Sequence, residues 1–115
     1  MGKILIAVLG VGKGTWGHVG RLITEETWDR VLLISNEWGK ENFAPTKECE
    51  WIIVNNRAGF EIIKEEIKKN LPDSELVISL ISGSGKEHMA VLAALKDKGY
   101  KYQVVILTGE GTKYY

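Results

Sequence analysis

The chain has 115 residues, 44% of them apolar and 26% charged, with Lys+Arg and Asp+Glu both at 15 and a formal net charge of zero. A chain of this length builds one domain, residues 1–115 as a single unit, with a sizeable core and no room for a separate substrate domain. The balanced charge gives no footprint for long nucleic acid or an anionic membrane, and no apolar run is long enough to cross a bilayer.

Lys3 to Leu9 is a nearly continuous β-rich apolar run that enters a glycine loop rather than a cleavage-like site. It reads as a strand buried on both faces, the mark of a parallel sheet, and not as a signal segment. Gly10-Val11-Gly12-Lys13-Gly14-Thr15-Trp16-Gly17 is the following loop. Trp16 to Thr24 is predicted as a helix with Val19, Leu22 and Ile23 inward and Thr15 as its N-cap. Arg30 to Ser35 is a second buried strand. Asn36 to Glu48 carries weak helical periodicity, Trp38 and Phe43, and a Pro45 that limits any helix.

Trp51 to Asn55 reads as a third strand. Ala58 to Asn70 reads as an amphipathic helix with Phe60, Ile62, Ile63 and Ile67 inward, stopped by Pro72. Glu75 to Ile81 is the fourth strand, and Ser82-Gly83-Ser84-Gly85-Lys86 a second glycine loop. Glu87 to Lys98 then forms a helix with Met89, Leu92, Ala93 and Leu95 inward and Gly99 as its C-cap. Tyr102 to Leu107 closes the sheet. The alternation predicts a doubly wound, mainly parallel five-stranded α/β sheet with helices on both faces, a Rossmann-like domain.

In such a sheet the strand order reverses beside the first strand, and ligands settle outside the carboxyl ends of the strands at that point. The two glycine loops follow the first and fourth strands, which are neighbours there in the common orders. Pattern and fold rule therefore nominate one crevice. Gly10, Gly12, Gly14, Gly83 and Gly85 let backbone N–H groups approach a ligand, and helix N-termini add partial positive charge. Lys13 and Lys86 supply full charge, Thr15, Ser82 and Ser84 hydroxyls, and Trp16 or Trp38 a face on which a base can stack. The expected ligand is nucleotide-like and negatively charged.

His18 and His88 each follow a glycine loop and are candidate proton carriers beside Lys86. No compact His/Asp/Glu spacing suits a metal, and no cofactor is expected. Cys49 is alone, so neither an internal disulfide nor a thiolate cluster can form within one chain, and the cytoplasm is the expected compartment. Gly12 to Gly17 matches G-x-G-x-x-G, with Glu37 beyond the second strand as a ribose acceptor; the Walker A pattern is absent.

Leu80-Ile81-Ser82-Gly83-Ser84-Gly85-Lys86-Glu87-His88-Met89, leading into the Ala/Leu-rich stretch Ala90 to Leu95, resembles a particular motif. It is similar to the acidic-x-Thr-Gly-Gly-Thr-Lys-x-Met loop and helix of CRISPR-associated Rossmann-fold (CARF) sensor domains, here in a stand-alone form. Leu80 stands where that family often has an acidic residue, Gly85 replaces a threonine, and one extra residue precedes Met89. The resemblance implies an antiviral-defence role and a homodimer that binds cyclic oligoadenylate across its two-fold axis. Ser82, Gly83, Ser84, Lys86 and the first loop would line the pocket.

Three other readings stand beside the sensor or sink. The first is a metal-independent ring nuclease on the same site, with Lys86 steadying charge and His18 or His88 moving protons. The second is an NAD or mononucleotide-binding subunit, and the third an interaction domain without a small ligand.

Overall fold

The computed structural model describes residues 3–115. Ile4–Val8 forms β1, and a single 3-10 turn over Lys13–Thr15 leads into α1, Trp16–Glu25. Then follow β2 (Arg30–Ser35), α2 (Glu37–Asn42), β3 (Glu50–Ile53), α3 (Phe60–Lys68) and β4 (Leu76–Ser79). The chain continues through α4 (Gly85–Lys98) and β5 (Tyr102–Thr108) to β6 (Gly111–Tyr114). The sheet order is β3-β2-β1-β4-β5-β6. All pairs from β3 to β5 are parallel, and β5 and β6 are antiparallel.

The sheet is therefore six-stranded and mixed, not five-stranded. The missed strand is a short hairpin partner whose turn is tied locally. Thr108 Oγ1 accepts from the Glu110 N–H (3.1 Å) and donates to the Gly111 carbonyl (2.8 Å), while Gly111 takes a φ of 111° open to glycine. Glycines at 109 and 111 are hairpin chemistry, but Gly-Thr-Lys-Tyr has no apolar run to announce a strand.

Alternation along β1 and β2 divides the core. Ile4, Ile6, Val8, Leu32 and Ile34 face α3 and α4, meeting Ile63, Ile67, Ala90, Val91, Ala94 and Leu95. Leu5, Ala7, Leu9, Val31 and Leu33 face α1, meeting Trp16, Val19, Leu22 and Ile23. Helices thus cover both faces. Burial of side chains this size contributes roughly 1.5–3 kcal/mol each, which is the force that sets these registers.

Two inward faces differ from those predicted. Met89 is 62% exposed and Ile62 67% exposed, while the small residues Ala90 and Ala94 are fully buried. Small side chains at those positions let α4 lie close to α3 and the sheet, so the large apolar residues of the first turns point away. Thr15 occupies the N-cap position of α1 without a capping side-chain hydrogen bond. The connection after β2 is organised by aromatic contact. Trp16 lies 5.5 Å from Trp38 and 5.6 Å from Phe43, and Phe43 lies 6.4 Å from Trp51. Among the described residues no helix is long and apolar enough to cross a membrane.

Candidate functional site at the β1/β4 rim

Because β1 and β4 pair side by side, with Ala7 opposite Ser79, the loops that leave their carboxyl ends meet. The Gly10 N–H donates to Ser82 Oγ (2.8 Å), and the Gly10 carbonyl accepts from Trp16 Nε1 (2.7 Å). A Cβ on Gly10 would stand 2.7 Å from the Gly83 nitrogen. Gly83 itself has a φ of 102°, and a Cβ there would run into Val8 Cγ1. These two glycines are what allow the loops to touch.

Beyond the touching point the loops part around an open cleft of ≈ 680 Å³. Gly10, Gly12, Gly14 and Thr15 line it from the first loop, and Gly83, Ser84 and Lys86 from the second. Lys86 Nζ donates to the Ala58 carbonyl (2.7 Å), which ties the β3–α3 connection to the cleft and leaves further ammonium protons for a ligand.

The remaining expected site residues lie elsewhere. Lys13 is exposed, outside the lining, with its Nζ 5.7 Å from the Trp16 ring centroid and 5.6 Å from that of Trp38, a cation–π position. Trp16 is 8% exposed, packed against the α1 face of the sheet, and offers no free ring to a base. Ser82 is buried, its hydroxyl oxygen occupied by Gly10, and Gly85 begins α4 outside the lining. His88 Nε2 donates to the Ser82 carbonyl (2.7 Å), so its ring braces the second loop from behind. His18 is exposed on α1, and neither histidine lines the cleft.

Sequence reasoning missed Asn56, Val11, Ile81 and Glu87, all of which line the cleft. Glu87 is 5% exposed, and its Oε1 accepts from the Ser84 N–H (2.8 Å) while Ser84 Oγ accepts from the Glu87 N–H (3.2 Å). This reciprocal capping box was legible as Ser84-x-x-Glu87. It satisfies two of the donors at the α4 N-terminus internally and places a carboxylate in the same lining as Lys86. The cleft is accordingly mixed in charge, with N–H groups, the Ser84 hydroxyl and one ammonium set against one acid.

Among the described residues no group of three His, Cys, Asp or Glu side chains is placed to hold a metal ion. Cys49 packs at the edge of the α1-side core, donates weakly to the Lys47 carbonyl (3.4 Å), and burial pushes its thiol up from the ordinary value, away from nucleophilic use. Compared with protein-family models and with curated proteins, the chain matches none.

Proposed function

We propose that the chain binds a nucleotide-like, negatively charged ligand in the β1/β4 cleft. The observation that carries this reading is the meeting of two glycine loops 72 residues apart in sequence, closed by the Gly10–Ser82 hydrogen bond, around a hollow of ≈ 680 Å³. The strand order and two-sided helices support a Rossmann-like description, and a cleft outside the carboxyl ends of β1 and β4 is where such sheets take ligands. Lys86 supplies the charge, and Ser84 with the backbone of the glycine loops supplies the hydrogen bonds.

The finer reading is a CARF-like module that senses or sequesters cyclic oligoadenylate across a homodimer. It rests on the likeness of Leu80 to Met89, and a two-fold ligand on a two-fold dimer gives each protomer the same half-site. Cleavage of that ligand would fall to Lys86 and the ligand's own 2′-hydroxyl, since His18 and His88 lie off the lining. Titration calorimetry against adenosine monophosphate and cyclic tetra- and hexa-adenylate tests the binding reading. The cyclic ligands bind and Lys86→Ala weakens them about tenfold, the scale of one charge-assisted hydrogen bond. Absence of heat with every adenylate refutes it, and linear products that disappear in Lys86→Ala assign the nuclease.

A further inference from the structure

We propose that Glu87 is a specificity-determining residue of the β1/β4 cleft: its carboxylate admits a phosphate group with a single negative charge, a phosphodiester, and turns away a doubly charged terminal phosphate. This rests on the cleft as a nucleotide site and specifies the kind of phosphate it takes.

Among the described residues that line the cleft, Lys86 and Glu87 alone are charged. Their fields differ in reach. Lys86 is half-buried, and its ammonium is partly committed to the Ala58 carbonyl at 2.7 Å. Glu87 is 5% exposed, and among the described residues no lysine, arginine or histidine forms an ion pair with it. A charge held away from water is screened less than one at the surface, so the carboxylate acts on the cleft at least as strongly as the ammonium.

The carboxylate is also fixed in place. Its Oε1 accepts from the Ser84 N–H (2.8 Å) and would stand 3.0 Å from a Cβ on Gly83, which packs the side chain against the second glycine loop. Oε2 has no donor among the described residues. The buried side-chain oxygens without a partner there are those of Ser35 and Ser79, so Oε2 is open to the cleft that Glu87 lines.

An anion seated at the start of α4 therefore meets both charges. Ammonium and carboxylate offset one another, and its first negative charge is held by the glycine-loop N–H groups and by those at the helix start that the capping box leaves free. A second negative charge gains nothing further from the Lys86–Glu87 pair and still loses its hydration. By this balance the cleft favours an internal phosphodiester over a nucleoside mono-, di- or triphosphate.

The test compares adenosine 5′-monophosphate with its methyl diester, adenosine 5′-(methyl phosphate), which differs in charge and by one methyl group. At neutral pH the monophosphate carries nearly two charges, because its second ionisation lies at about pH 6. Affinities are read by NMR titration of the full chain at the Gly12, Gly14 and Gly83 amides. The wild-type chain binds the diester about tenfold more tightly, the scale of one charge–charge contact at a partly screened site. Glu87→Gln keeps the capping box, which glutamine serves as glutamate does, and circular dichroism checks its fold. That variant tightens the monophosphate about tenfold more than the diester, so the preference disappears. Lys86→Ala weakens both ligands.

A gain of affinity on removing the carboxylate is a result that a merely structural Glu87 does not give. Equal affinities in the wild type, a wild-type preference for the monophosphate, or a Glu87→Gln variant that weakens both ligands or leaves their ratio unchanged overturns the charge selection and leaves the cleft reading standing. Binding of neither ligand also overturns it, and the cyclic adenylates then decide whether the cleft reading falls too. The wild-type comparison needs no variant, so a Glu87→Gln protein that does not fold leaves the inference open to refutation.

Discussion

Two glycines of one loop meet opposite surroundings. At Gly10 a Cβ would stand 2.7 Å from the Gly83 nitrogen and 2.8 Å from its Cα, which are backbone atoms that cannot rotate aside. At Gly12 a Cβ would meet nothing within 4 Å, and φ is an ordinary −84°. Gly10→Ala should therefore destabilise the fold by about 2 kcal/mol, the middle of the range for overpacking, while Gly12→Ala should stay within about 0.5 kcal/mol of wild type. Urea denaturation of both variants checks the contrast. Equal midpoints would mean that the loops do not close on each other as described.

The same scale explains what the sequence could say about the site. Glycine spacing and Lys86 located the rim, because those signals are local in the chain. Lys13 escaped because the resting place of a long side chain is decided by its neighbours, and its tryptophans at positions 16 and 38 are brought together only by folding. Ser82 and Ser84 were read as ligand donors. Each oxygen accepts a backbone N–H, from Gly10 and Glu87 respectively, which holds it in place; Ser82 is buried, while Ser84 lines the cleft with its hydroxyl proton left to donate. A hydroxyl near a helix start serves the chain before it serves a ligand.

Among the elements, α4 does most to shape the cleft, and both of its ends follow from sequence. Ser84 and Glu87 form the capping box, and Gly99 closes the helix in the left-handed conformation with a φ of 70°. The capping pair fixes where the helix begins and so aims Lys86 and Glu87 at the cleft. Ser84→Ala should cost about 1 kcal/mol, as loss of a serine N-cap does, whereas Ser84→Asp should retain most of the stability. Chemical denaturation monitored by circular dichroism decides the matter, and an alanine variant as stable as wild type would remove the capping argument. The strands were legible for a related reason. Ile4–Val8 is wholly buried and so wholly apolar, whereas β6 has an exposed glycine and lysine and alternates too briefly to stand out. The burial of Ala90 and Ala94 in place of Met89 was not legible, because hydrophobic patterning ranks large side chains first while close helix packing selects small ones.

At the scale of the whole molecule, the two faces of the sheet are covered unequally. The chain passes from β5 directly into β6 with no helix between them, so on the α1 face the far strands need another cover. Tyr114 supplies it. Its ring packs against the core cluster that contains Val77 and Val105, and its hydroxyl accepts from Lys3 Nζ (2.9 Å) and donates to Glu26 Oε1 (3.3 Å). Lys3 Nζ lies 4.6 Å from the Tyr114 ring centroid and 5.3 Å from that of Trp28. The last strand is thereby joined across the sheet to the residue before the first strand and to the end of α1. Two substitutions separate the ring from the hydroxyl. Tyr114→Phe keeps the covering ring and loses the hydrogen bonds, a change of about 1 kcal/mol. Tyr114→Ala also uncovers the sheet and should cost about 2–3 kcal/mol, less than a fully buried aromatic because Tyr114 is only half-buried. Urea denaturation of both variants measures the difference. A Tyr114→Ala protein no less stable than Tyr114→Phe would show that the ring covers nothing, and that the α1 face of β5 and β6 is held by the sheet alone.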